Sequence, residues 1–253
     1  MKVFRGFENL NPFVNGVATI GSFDGVHCGH RALLSTVRRL AAERGGESVV
    51  FTFDPHPRIT LGRAEGLKLL NTTEEKLTLL AAAGIDNTVV IPFTEEFSRL
   101  SPDEFIADCI VRAGVRTLAV GYNHRFGRDK AGDYAYLSSA RREVWPEVVE
   151  VEQQLVGSGK VSSTVIRRVI AEGDMAAASR LLGEPYIFIG MASGGGEVVS
   201  SERDYKLLPP AGEYAAEVDG RRCAVRIADD GRLFAVGLTA AGRTVIKIEN
   251  RIC

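Results

Sequence analysis

The sequence predicts an α/β protein: a parallel sheet over residues 1–185, followed by a small antiparallel β module over residues 186–253. Three observations carry that reading. Through residue 183, short β-branched runs alternate with longer helical periods, as a parallel sheet with crossover helices requires. From Tyr186 the texture changes to alternating strands punctuated by "VDGR" (218–221), "DDGR" (229–232) and "AAGR" (240–243). Asp-Gly pairs between alternating runs are hairpin signals. All 4 histidines fall in segments that follow predicted strands.

The candidate strands of the first part are "VATI" (17–20), "SVVFTF" (48–53), "TVVI" (88–91), "TLAV" (117–120) and "VVEV" (148–151). A helix begins near His30 with Leu33, Val37, Leu40 and Ala41 on one face and stops at Gly45 and Gly46. Thr72 followed three residues later by Glu75 reads as a capping box, and that helix closes at Gly84. Ser101, Pro102 and Glu104 repeat the arrangement, with Gly114 at the close. In the second part the strands are "EYAAEV", "CAVRIA", "LFAVGL" and "TVIKI", and "GGG" (194–196) with "LLPP" (207–210) makes the first connection long or irregular.

Composition narrows the function. Lys and Arg (31) nearly cancel Asp and Glu (32), and the charges are scattered, so there is no broad footprint for nucleic acid or for a membrane surface. Any anionic ligand must be gripped locally. Cys28, Cys109, Cys223 and Cys253 show no CxxC spacing, which argues against a zinc site or a disulfide framework and for a reducing compartment. "MKVFRGFENLNP" lacks the apolar stretch of a signal peptide, so the expected address is the cytoplasm.

Parallel strands deliver the segments after them to one edge of the sheet, where open α/β folds bind ligands. Those segments are "GSFDGVHCGH" (21–30), "DPHP" (54–57), "GYNHRFG" (121–127) and the approach to "VSSTVIRR" (161–168). A strand running through Gly21, Gly25 and Gly29 into a helix aims backbone N–H groups and a positive dipole end at the loop, which suits phosphate. His27 and His30, three residues apart, can donate to phosphate oxygens as charge builds, and as two cations each would depress the other's pKa. A pair of capping histidines or a metal pair is the alternative. The metal is the weaker of these, because no acid or third ligand stands at the spacing of a zinc helix. Ser162, Ser163 and Thr164 open a second helix, and Arg167 follows. They read either as an anion grip or as a plain N-cap with a solvated arginine.

"GSFDGVHCGH" carries the H-x-G-H signature of a nucleotidyltransferase superfamily. Its extended form, together with "FDPHP", "GYNHRFG" and "VSSTVIR" in that order, resembles the bacterial FAD synthetases (FMN adenylyltransferases) of the bifunctional riboflavin kinase/FAD synthetase family. The resemblance covers residues 14 to 186 and implies a Rossmann-like nucleotidyltransferase domain. It also implies a reaction, transfer of AMP from ATP to flavin mononucleotide (FMN) giving FAD and pyrophosphate, with Mg2+ bridging phosphates. On this resemblance the catalytic residues are His27, His30, Asn123 and Arg167. Gly21, Ser22, Phe23, Asp24, Gly29, Ser162, Ser163 and Thr164 bind ATP. His56, Pro57, Asn123 and Arg125 meet the flavin substrate, and His124 has no assigned role.

The second module departs from the pattern. Family members continue into a riboflavin kinase domain with a G-F-P-T-A-N signature, whereas this chain reads "GMASGGGEVVSSERDYKLLPPAGEY" with no Pro-Thr-Ala-Asn. The expectation is a shortened, degenerate kinase-like module without kinase activity. Two other readings are a flavin- and nucleotide-binding regulatory protein, and an adenylyltransferase acting on phosphopantetheine or nicotinamide mononucleotide.

Overall fold

The computed structural model describes residues 1–122, 124–139, 145–152, 155–156 and 159–252. The chain divides into two units interleaved in sequence: Met1–Phe23, His30–Glu65 and Leu79–Gln154 form the first, and Asp24–Gly29, Gly66–Thr78 and Leu155–Cys253 the second.

The first unit is built on six parallel strands, β1 (Lys2–Arg5), β2 (Gly16–Ile20), β3 (Ser48–Asp54), β4 (Asn87–Pro92), β5 (Val115–Gly121) and β6 (Glu147–Val151). They lie in the order β1-β4-β3-β2-β5-β6. β2 pairs with β3 on one side and β5 on the other, with Val17 opposite Ser48 and Ala18 opposite Leu118. The strand order reverses between β2 and β5, so the chain leaving these two C-terminal ends flanks a topological switch point. Val49, Phe51, Val89, Leu118 and Val120 form the core with Ile106 and Ile110. Near-continuous apolar strands of this kind are what a sheet covered on both faces needs.

The helices are α1 (Cys28–Glu43), α2 (Pro57–Thr60), α3 (Thr73–Ala82), α4 (Glu95–Ser98), α5 (Pro102–Glu104), α6 (Tyr134–Ser139), α7 (Ser163–Ala171) and α8 (Met175–Leu182). Both predicted capping boxes form. Thr72 N donates to Glu75 Oε2 at 2.9 Å while Glu75 N donates to Thr72 Oγ1 at 3.2 Å. Ser101 and Glu104 exchange the equivalent pair. The third predicted helix is α-helical only over α5 and continues as a π-helix from Phe105 to Val111. β1, a four-residue edge strand, had no periodicity to announce it.

In the second unit β9 (Tyr186–Ser193), β10 (Glu197–Val199), β11 (Gly212–Val218), β12 (Arg221–Ile227), β13 (Leu233–Ala235) and β14 (Ala241–Arg251) close an antiparallel barrel in the order β10-β13-β12-β11-β14-β9. β7 (Leu155–Val156) and β8 (Gly159–Lys160) form a separate small ladder. Asp219 and Gly220 turn β11 into β12 with φ of 47° and 81°, the left-handed pair that a two-residue hairpin demands. "GGG" is the turn between β9 and β10. "AAGR" is not a turn: Ala241 already belongs to β14, and β13 stops at Ala235, so "LFAVGL" is half strand and half connection. Tyr186, Phe188, Tyr214, Val225, Ile246 and Ile248 share one core with Ile166, Ile170, Met175 and Leu182 from α7 and α8.

Candidate active site

The loop from Gly21 to the start of α1 is strained. Phe23, Gly25 and Val26 take φ of 49°, 97° and 39°, a region that costs an aromatic or β-branched residue. In the first unit, Gly21 N donates to Phe51 O at 3.0 Å, continuing the β2–β3 ladder, and Thr52 Oγ1 donates to Ser22 O at 3.4 Å. A Cβ at Gly21 would stand 3.2 Å from the Phe23 ring. Phe23 is fully buried and meets the His30 ring edge to face at 5.1 Å, which orients that imidazole in the first turn of α1.

The second unit holds the remainder of the loop and the segment after Lys160. Asp24 is 5% exposed, and its carboxylate is fully engaged. Oδ1 accepts from Leu70 N at 2.8 Å and Asn71 N at 3.2 Å, and Oδ2 pairs with the Arg167 guanidinium. Asn71 Oδ1 accepts from Gly25 N at 2.9 Å. Arg167 Nε donates to Lys68 O at 2.6 Å, so Arg167, at 23% side-chain exposure, is not the solvated arginine that the plain N-cap alternative assumed. Ser162 caps α7 by accepting from Val165 N at 3.3 Å. Ser163 Oγ donates to Asp24 O at 2.8 Å, and Thr164 is exposed.

His27 lies one residue before α1 rather than inside its first turn. It is buried, and burial lowers its pKa from 6.5 to about 4, with the Asp24 carboxylate opposing the fall. Its imidazole is therefore neutral at neutral pH, and the principal cause is desolvation rather than a neighbouring cation. A Cβ at Gly29 would sit 3.3 Å from His27 Cε1 and Nδ1, which explains a glycine between the histidines.

Other predicted residues stand in the first unit. His56 caps α2, its Nδ1 accepting from Arg58 N at 3.2 Å, with Pro57 at the first helical position. Arg125 is exposed and pairs with Asp133 at 3.1 Å. The His124 ring stacks on Phe126 at 5.6 Å, and burial lowers its pKa to about 4. Asn123 lies outside the described residues.

Sequence reasoning passed over Lys68, Leu70, Asn71 and Lys206. Leu70 and Asn71 act largely through backbone groups, which leave no compositional trace. Asn71 just ahead of the Thr72 cap was the available signal. The barrel also holds a cavity of about 490 Å³ lined by Phe188, Lys206, Leu207, Leu208, Asp230 and Arg232 among others. Its wall includes Ser200, Arg203, Asp204 and Lys206, from the stretch without the Pro-Thr-Ala-Asn signature.

A parallel sheet whose interior strand turns through a strained glycine loop into an H-x-G-H helix defines a nucleotidyltransferase of the α/β class. The profile of the FAD synthetase family matches residues 12–165, more than half of the chain, and the chain belongs to that family. The bifunctional riboflavin kinase/FMN adenylyltransferase of Listeria monocytogenes is 34% identical over 218 residues, covering 81% of this chain and 68% of the relative. Its Escherichia coli counterpart is 33% identical over 231 residues, covering 87% and 74%. The crystal structure of the macrolide-efflux protein from Streptococcus pneumoniae covers 100% of both chains with a TM-score of 0.84 at 23% identity, a likeness of fold. Among the described residues no helix is long and apolar enough to cross a membrane.

Proposed function

We propose that this chain transfers the adenylyl group of ATP to FMN. A phosphate oxygen of FMN attacks the α-phosphorus, the bond from that phosphorus to the bridging oxygen of the β-phosphate breaks, and its electron pair leaves with pyrophosphate. Such a displacement needs alignment and charge neutralisation more than a protein nucleophile. The observation that carries the reading is the Gly21–His30 loop, which leaves an interior strand at the switch point with three left-handed residues and opens a 16-residue helix.

In this reading Gly21, Ser22 and Phe23 shape the adenosine pocket, and His27 and His30 donate to the ATP phosphates. Ser162, Ser163 and Thr164 bind the departing pyrophosphate beside Arg167. Asp24 serves ATP through Arg167, because its own oxygens are occupied. Asn123 and Arg125 orient the FMN phosphate, with His56 and Pro57 at the flavin. Among the described residues no group of three His, Cys, Asp or Glu side chains could hold a metal ion, so Mg2+ would be held chiefly by the ATP phosphates and would supply charge neutralisation there. Residues 1–185 carry the groups that meet ATP and FMN, and residues 186–253 are a kinase-like module that, lacking the Pro-Thr-Ala-Asn signature, does not phosphorylate riboflavin. The substrates are small molecules, and the site of action is the cytoplasm.

The test is to incubate the protein with ATP and Mg2+ and either FMN or riboflavin, and to separate the products by chromatography. FAD and pyrophosphate are expected from FMN, and no FMN from riboflavin. Absence of FAD overturns the transfer reading, and FMN formed from riboflavin overturns the loss of kinase activity.

A further inference from the structure

Lys206 is the most deeply buried cation described. Its side chain is 1% exposed, and the ammonium spends its three protons on Leu70 O at 2.8 Å, Ile187 O at 2.9 Å and Glu75 Oε2 at 2.6 Å. It also lies 4.2 Å from the centre of the Tyr186 ring. Glu75 is equally buried and equally committed, since Oε2 also accepts from Thr72 N and Oε1 accepts from Ile189 N at 2.8 Å. The capping acid of α3 is thus also a bond to barrel strand β9. Burial pulls the Lys206 pKa down, and Glu75 opposes that fall.

A buried ion pair contributes little net stability compared with well-packed apolar side chains of the same volume. What it supplies is direction, and here the direction leads to Arg167. The backbone of Leu69 bridges that of Lys206, with Leu69 N donating to Tyr205 O at 2.6 Å and Leu207 N to Leu69 O at 2.9 Å. The strip from Lys68 to Asn71 is therefore clamped on one side by Tyr205, Lys206 and Leu207. On its other side the same four residues supply the Leu70 and Asn71 N–H groups that hold Asp24, and the Lys68 carbonyl that holds Arg167 Nε. Leu70 takes part in both, accepting from Lys206 through its oxygen and donating to Asp24 through its nitrogen.

We propose that Lys206 is a positioning residue for adenylyl transfer: through Leu70 and Asp24 it fixes the Arg167 guanidinium, with Glu75 as its buried counterion. This rests on the reading that Arg167 binds the departing pyrophosphate. Misplacing a catalytic group by about 1 Å can cost on the order of a hundredfold in rate, so Lys206→Met lowers kcat ten- to a hundredfold. In the reverse reaction it raises the KM for pyrophosphate and leaves the KM for FAD unchanged.

The test is a double-mutant cycle on kcat in the full-length protein, with Lys206→Met, Arg167→Ala and the pair of substitutions together, each normalised to folded protein by circular dichroism and followed with radiolabelled ATP. The expected result is that Lys206→Met costs ten- to a hundredfold in the parent and less than twofold once Arg167 is alanine. An equal loss in both backgrounds overturns the positioning role and leaves the adenylyl-transfer reading standing. Normal turnover of Arg167→Ala alone overturns both the role of Arg167 and the inference built on it. Should Lys206→Met fail to fold, the charge-neutral combination Glu75→Gln/Lys206→Met takes its place in the same cycle, and the same outcomes decide.

Discussion

Acidification isolates what burial does to His27. The imidazole of an unfolded chain accepts a proton near pH 6.5, whereas the folded protein refuses that proton until about pH 4. Between those values the unfolded state binds more protons, so stability falls as pH falls. For one group moving from 6.5 to about 4, the loss on going from about pH 7 to about pH 4.5 is about 2.5 kcal/mol. Burial also lowers the pKa of His124, so acid weakens the parent protein by more than the His27 share. His27→Gln removes that share alone, because glutamine keeps polar groups near those positions and does not titrate. The assay is urea unfolding of both proteins at the two pH values. The parent should lose about 2.5 kcal/mol more than the variant. Equal losses would show that His27 does not resist protonation in the fold, and with it would fall the proposal that His27 meets phosphate as a neutral donor.

Gly25→Ala sets a Cβ 2.7 Å from Leu70 Cδ1 at a φ of 97°, and thermal denaturation should report a loss of roughly 1–3 kcal/mol. Ser162→Ala deprives Val165 N of its acceptor and should cost about 1 kcal/mol of stability while raising the KM for ATP; a fall in stability with unchanged KM would confine Ser162 to helix capping. Asp24→Asn keeps an acceptor for Leu70 and Asn71 but uncouples Arg167, so unfolding should show a loss of about 3 kcal/mol and steady-state kinetics at least a tenfold fall in kcat.

Local signals were legible in the sequence, and long-range ones were not. Both capping boxes, five of the six parallel strands and the Asp219-Gly220 hairpin follow from spacing within a few residues. The π-helix at Phe105–Val111 shares its apolar content with an α-helix, and no residue type distinguishes the two. Glu75 shows the limit most clearly. Its capping role is written three residues away in Thr72, but its partners Ile189 and Lys206 stand more than a hundred positions later. Asp24 and Arg167 were each singled out from their own motifs, and only the fold discloses that one neutralises the other across 143 positions. His27 and His30 were recognised as a pair by spacing, yet the neutral state of His27 depends on burial, which a motif does not encode.

The interleaving of the two units limits how the protein can be shortened. A fragment ending at residue 185 would retain Glu75 but neither Lys206 nor Ile189, leaving that carboxylate without two of its buried partners. It would also strip Leu70 of the lysine that grips its carbonyl. Truncation at the visible change of texture would thus damage the half it was meant to preserve. A minimal enzyme has to keep the barrel, whether or not the barrel has any chemistry of its own.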